Sequence, residues 1–390
     1  MSLIFLSSGL FLGWSLGAND AANVFGTAVG SRMVKFRTAA ICCGIFVLLG
    51  AVVSGAGASE TLGKLGAIDA LGGAFVVAFA AAVSVYLMTR ARYPASTSQA
   101  IVGAIIGWNF FSGTSTDTQQ LTKIVMTWVA CPLLSAAAAV ICYKLVTTII
   151  LRCKIHLFKL DTWTRYGLII VGAFGSYSLG ANNIANVVGV FVPVSPFTEV
   201  TLFNWLHLSS AQILFFIGGI AIAVGVFTYS KETMMTVGGG IFRLSPVMAF
   251  VAVWAHSVVL FLFSSKGLES WLLSHGLPAL PLVPVSSSQA IVGAVIGMGL
   301  LKGGRGIRWK TVGGIACSWI AAPVFACIIS YVCLSILQNV FHQRVYDGAA
   351  VASVPPAVVE FQDSINKGPA PFSTAPLSAP VAAPQFDVKG

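Results

Sequence analysis

The chain has 390 residues, 57% of them hydrophobic and 9% charged, with a mean hydropathy of +0.89. A soluble domain carries about 25% charged residues, so this composition excludes a water-soluble globular protein. The net charge of +10 would suit nucleic acid if it formed one basic face, but Lys and Arg cluster between apolar runs, which is a membrane-topology pattern and points to no nucleic-acid partner.

The apolar runs are continuous rather than alternating, which excludes a β-barrel. The expected fold class is an all-α polytopic membrane protein in the lipid bilayer of a cell membrane (inner or plasma). Ten spans are expected near 3–29, 38–58, 69–89, 94–111, 124–150, 166–193, 203–229, 244–264, 284–301 and 311–340. The first run lacks a basic start and continues to Val29, so it reads as a retained span rather than a cleaved signal.

That first span contains GANDAANVFG (17–26). A charge at bilayer depth costs about 2.5–3.5 kcal/mol on insertion scales. Asn19 and Asn23, four residues apart, share a helix face with Asp20 about 100° round. Gly17 would permit a helix break that bares carbonyls. Carboxylate, amide and backbone oxygens suit a hard cation such as sodium, which makes Asp20 and Asn23 candidate metal ligands. Interhelical polar contact is the plainer use of one Asn, but it requires no full charge.

Arg32, Lys35 and Arg37 follow span 1. Glu60 and Asp69 are expected to bound an external loop between spans 2 and 3, and Arg90 and Arg92 follow span 3. Span 4 opens with PASTSQAIVGAIIG (94–107). Ser96 is a natural N-cap, and a helix start presents unpaired N–H groups with partial positive charge. One Ser satisfies capping; Ser96, Thr97, Ser98 and Gln99 together make a candidate anion site. Gly103 and Gly107 form a close-approach pair.

Lys144, Arg152, Lys154, Lys159 and Arg165 flank a central basic loop, 151–165. Beyond it the phrases return. GANNIANVVG (180–189) repeats the first, giving Asn182, Asn183 and Asn186. PVSSSQAIVGAVIG (284–297) repeats the second, giving Ser286, Ser287, Ser288 and Gln289. WIAAP (319–323) repeats WVACP (128–132). Lys231 and Arg243 follow span 7, and Lys302, Arg305, Arg308 and Lys310 follow span 9. Most of the 22 Lys and Arg residues thus lie on one side, which the positive-inside rule makes cytoplasmic. Five spans per half is an odd number, so residues 1–150 and 166–340 are expected to be inverted-topology repeats. That is an arrangement of secondary transporters, with sites at the repeat interface. The Pro- and Ala-rich stretch 341–390 reads as a disordered tail.

His207 and His256 read as isolated structural residues, Trp128 and Trp319 as packing residues, and the eight cysteines as small apolar fillers. No Ser/His/Asp, paired-carboxylate or metal-ligand constellation is present, so the chain does not read as an enzyme, and no cofactor is expected.

GANDAANVFGTAVGS (17–31), GANNIANVVG and IAVGVFTYSKETMMTVGGGIFRLSP (222–246) resemble the inorganic phosphate transporter (PiT) family over residues 1–340. The resemblance implies sodium- or proton-coupled uptake of inorganic phosphate. It makes Asn19, Asp20, Asn23, Asn182 and Asn186 ion- or phosphate-site residues and the serine-rich motifs phosphate ligands. It also implies that some spans are broken into half-helices, giving up to twelve segments. Two departures stand out. The family's second phrase usually has aspartate where Asn183 stands, and its serine-rich motif often ends in histidine rather than Gln99 and Gln289. A sulfate permease of a related branch is the first alternative, and a passive anion channel, which would need no Asp20, the second. A homodimer is compatible with the sequence, which identifies no contact face.

Overall fold

A computed structural model describes residues 2–66, 68–91, 95–202, 206–240, 242 and 244–346. The expectations for Arg92, Pro94, Arg243 and the tail from Asp347 lie outside those residues. The described helices are α1 (Ser2–Phe5), α2 (Ser7–Gly30), α3 (Phe36–Ser54), α4 (Ala56–Gly66), α5 (Leu71–Arg90), α6 (Thr97–Ser112), α7 (Thr118–Arg152), α8 (Leu157–Val188), α9 (Ser210–Gly240), α10 (Pro246–Leu262), α11 (Lys266–Ser274), α12 (Ser287–Leu301) and α13 (Trp309–Asn339). A 3-10 turn, Gly189–Phe191, follows α8, and a small antiparallel hairpin pairs β1 (Val200–Leu202) with β2 (Leu206–Leu208). In that hairpin His207 faces Thr201, its Nδ1 3.0 Å from the threonine hydroxyl.

Among the described residues, six helices are long and apolar enough to cross a membrane, or seven if α10 and α11, bent by 69°, count as one span. The chain is an all-α polytopic membrane protein. Its outermost helices are built inside out: Leu133, Ile141 and Leu151 on α7 and Ile320, Val324 and Ile328 on α13 are exposed. Such faces suit lipid, where exposing an apolar side chain costs nothing.

Several expected spans take a different form. The fourth and ninth are α6 and α12, of 16 and 15 residues. At 1.5 Å per residue they are about 22–24 Å long, short of the ~30 Å hydrocarbon core. Both begin at buried residues, Ser96 and Ser286, so they are half-helices that start inside the protein. The second span ends at Ser54, and the expected external loop after it is largely α4, whose Glu60 pairs with Lys266 at the start of α11. The basic loop 151–165 is mostly helical, because α8 starts at Leu157, and Lys231 lies within α9 rather than after it. Residues 341–346 begin as packed chain, not as a free tail. Trp108 Nε1 donates to Val345 O at 3.2 Å, and Val345 is buried.

Small residues let the inner helices touch. Helix α2 does not break at Gly17; it runs intact, with its backbone so close to α9 that a Cβ at Gly17 would lie 2.0 Å from Ile222 O. The same contact recurs between α8 and α3, where a Cβ at Gly180 would lie 2.1 Å from Val47 O. A Cβ at Gly103 on α6 would lie 2.1 Å from Pro323 O on α13, and one at Gly293 on α12 2.2 Å from Pro132 O on α7. Two pairings have a counterpart in which the halves exchange parts, α2 on α9 with α8 on α3 and α6 on α13 with α12 on α7, and a third is repeated within each half, α5 on α2 and α10 on α8. Trp128 and Trp319 pack partly buried against the core, and all eight cysteines are free thiols.

Candidate functional site

The duplicated phrases meet at the centre of this packing. Asn19, Asp20 and Asn23 on α2, Asn182, Asn183 and Asn186 on α8, and the starts of α6 and α12 (Ser96, Thr97, Ser98 and Gln99; Ser286, Ser287, Ser288 and Gln289) are all buried. Polar groups removed from water must find partners, at a cost of about 1–3 kcal/mol for each one left without. The partners here cross between the halves. Asn23 Nδ2 donates to Ser287 Oγ at 3.1 Å, and Asn186 Nδ2 donates to Ser98 Oγ at 2.9 Å. Each central helix therefore holds the half-helix of the opposite half.

Both half-helices start in the same way. Ser96 Oγ accepts from Gln99 N, and Ser286 Oγ accepts from Gln289 N, each at 3.3 Å. These N-caps leave the first amides of each helix without intrahelical partners. Ser98 Oγ donates to Val285 O at 3.0 Å, joining the start of α6 to the approach to α12, and Cys131 Sγ on α7 reaches Ser286 O at 3.7 Å. The remaining amides fix the lead-in segments: Asn19 Nδ2 donates to Ala95 O at 3.0 Å, and Asn182 Oδ1 accepts from Val285 N at 3.0 Å.

Asp20 is the one acid in this cluster. Its Oδ1 accepts from Asn19 Nδ2 at 2.7 Å and from Asn23 Nδ2 at 3.4 Å, and its Oδ2 accepts from the Thr97 hydroxyl at 3.3 Å. A buried carboxylate needs such donors, because taking a charge out of water costs several kcal/mol. Its counterpart Asn183 only accepts from Asn186, at 3.2 Å, and its Nδ2 has no partner. Gln99 Oε1, Gln289 Oε1 and Asn186 Oδ1 are likewise buried without partners. The cluster thus retains both unused acceptors and an unused donor, along with two helix starts.

One residue of the cluster does not belong to either phrase. His256 on α10, fully buried, places Nε2 2.9 Å from Ser287 Oγ, and its Nδ1 has no partner. It is not the isolated histidine its sequence setting suggests. The signal that locates it is a weaker repeat, AFVVAFAAAV (74–83) in α5 against AFVAVWAHSV (249–258) in α10, which sets His256 opposite Ala81. The ring contacts support that register: Phe11 with Tyr86 at 6.2 Å in the first half, Phe174 with Phe261 at 5.5 Å in the second.

Fold and site together define a polytopic membrane protein with a buried polar centre assembled from both halves of the chain. Residues 16–269 and 280–381 match the phosphate transporter family, and the chain belongs to that family. The match extends past residue 340 into the stretch expected to lie outside the resemblance. The chain is 29% identical to a Methanocaldococcus jannaschii protein, provisionally named a phosphate permease, over 83% of this chain and 93% of that one. It is 26% identical to a sulfate permease of Bacillus subtilis, over 94% and 97% of the two chains. A solved sodium-dependent phosphate transporter shares the fold, with a TM-score of 0.67 and 21% identity, covering 87% of this chain and 99% of that one.

Proposed function

We propose that this protein is a secondary transporter that carries inorganic phosphate into the cell across the plasma (inner) membrane, coupled to a cation, by alternating access. The observation that carries the reading is the reciprocal pair Asn23–Ser287 and Asn186–Ser98, which joins both phrases of both halves around Asp20. In this reading the hydroxyls of Ser96, Thr97, Ser98, Ser286, Ser287 and Ser288, with Gln99 and Gln289, bind the oxyanion at the two helix starts. Neutral donors hold it more weakly than an arginine fork would, which suits a site that must release its cargo.

In this reading sodium is cargo, moved together with the anion. One carboxylate with neutral amide and hydroxyl oxygens is a donor set that fits a monovalent hard cation. Asp20 and Asn23 would hold it, with Asn19, Asn182, Asn183 and Asn186 framing the site. Cation and oxyanion then offset one another in a place where either alone would be costly. The swapped helix pairings support two halves of inverted topology, each able to rock against the other about this centre.

The coverage of the sulfate permease relative favours sulfate as the second cargo reading. The deciding experiment is uptake of labelled phosphate into proteoliposomes under imposed sodium or proton gradients, with sulfate and arsenate as competitors. Concentrative phosphate uptake that sulfate fails to inhibit supports the reading. Equilibration without accumulation makes the protein a passive channel, and uptake of sulfate alone makes it a sulfate permease.

A further inference from the structure

The two halves present opposite chemistry to matched hydroxyls. Thr97 in the first half faces the carboxylate of Asp20; Ser287, its counterpart, faces the imidazole of His256. The second half lacks the acid, having Asn183, and the first half lacks the imidazole, having Ala81. Among the residues of the cluster, only His256 can become positively charged.

We propose that His256 is a proton-binding residue of the transport site, loaded together with phosphate and acting on it through Ser287. The inference rests on the phosphate-transport reading above. With the proton on Nδ1, the Ser287 hydroxyl donates to Nε2. A second proton, taken from the external medium onto Nε2, reverses that bond. The imidazolium donates to Ser287 Oγ, and the serine hydrogen is released to turn toward an oxyanion. Return of that proton to the cytoplasmic solution as phosphate leaves restores the starting state, so one proton crosses with each anion.

Burial makes the coupling obligatory. An imidazolium alone, or an oxyanion alone, is costly in a site removed from water. Together they offset each other, so each raises the affinity for the other by the same factor. Helices α2, α7, α8 and α12 pack against α10. The titratable groups they bring toward His256 are Asp20, which lies beyond Ser287 and Asn23 in a continuous hydrogen-bonded chain, and Cys131, whose thiol is directed at Ser286 O. Helices α8 and α12 bring amides and hydroxyls to the pocket. Cation loading is thereby divided between the halves, a metal ion at the acid and a proton at the imidazole.

The test uses the full-length protein in proteoliposomes at fixed sodium, with an entrapped pH-sensitive dye. For one proton per phosphate, an inward gradient of one pH unit raises the steady-state accumulation ratio of a given phosphate ionisation state about tenfold, and a phosphate pulse acidifies the lumen beyond what the anion's own ionisation produces. His256→Gln is expected to lose the acidification and the gradient dependence while sodium still drives reduced uptake. Equal acidification by His256→Gln, or none by the wild type while it accumulates phosphate, overturns the proposal. Failure of the wild type to accumulate phosphate at all removes the underlying function instead, and the same vesicles distinguish the two. Should His256→Gln fail to insert, phosphate binding to the purified wild type in weakly buffered solution gives the answer: proton uptake with binding supports the assignment, and its absence refutes it.

Discussion

The first half of the site and the second are built to one plan and differ in their charges. Both have a central helix with asparagines four residues apart, a serine-capped half-helix, and a hydrogen bond from one to the other half's hydroxyl. Against that shared frame, Asp20 and Ala81 in one half stand opposite Asn183 and His256 in the other. In the function proposed above, the frame would hold an oxyanion between two equivalent helix starts. In the same proposal, the differences decide which cations travel with it.

The strongest way to break the comparison is Asp20→Asn, which would make both central phrases neutral. Sodium-coupled uptake should fall at least about a hundredfold, since a buried charge and its partners are worth several kcal/mol, while the protein still inserts and elutes as a single species. Near-normal ion-dependent uptake would remove the carboxylate from the cation site. Asn183→Asp sharpens the comparison from the other side by restoring the acid to the second half. Sodium should then bind about tenfold more tightly, an effect of one charge-assisted contact, read from the sodium dependence of uptake. An unchanged sodium dependence would show that the two halves bind cations independently of this residue.

Gly103→Ala and Gly293→Ala test the frame itself, because each forces a methyl onto the backbone of the helix that packs against it. Both should destabilise by about 1–3 kcal/mol, the range for overpacking, and by similar amounts, read as loss of thermal stability in detergent. A large inequality would mean that the halves are packed less alike than their matched contacts imply. Ser98→Ala and Ser287→Ala each remove one hydroxyl that meets the opposite half. Each should weaken phosphate binding about three- to tenfold, matching the ~1 kcal/mol of an ordinary hydrogen bond, with little change in folding. Smallest is Lys266→Ala, which removes the exposed pair with Glu60. Such a pair contributes about 0–1 kcal/mol, so uptake and stability should barely move.

Much of this organisation was legible in the residues. The duplicated GAN and serine-rich phrases identified the helices that meet, because polar residues in an apolar background have few uses that need so many of them. Gly103 announced close approach, and the backbones do approach there, as they do at its repeat counterpart Gly293. Other features were hidden for physical reasons. Hydropathy counts apolar residues and does not register that α6 and α12 start in the protein interior, so half-helices read as spans. Glycine permits both a break and a tight contact; at Gly17 the proximity of Ile222 selects contact, and no local signal carries that choice. The basic stretch 151–165 read as a loop because its charges mark the membrane boundary, whereas helical hydrogen bonding continues past that boundary in α8. His256 escaped because a single histidine in an apolar helix has an ordinary explanation. Only its register against Ala81 and its contact with Ser287 set it apart.

The bond from Asn23 to Ser287 spans 264 residues, and it has a bearing on how the chain is made. While a ribosome is still synthesising the protein, the Asn23 amide of the first phrase sits in the bilayer with its future partner Ser287 not yet translated. That bond cannot form until nearly three quarters of the polypeptide has been made. Nonsense truncations ahead of α12 should therefore be degraded as unassembled, and two separately expressed halves should become long-lived only when produced together.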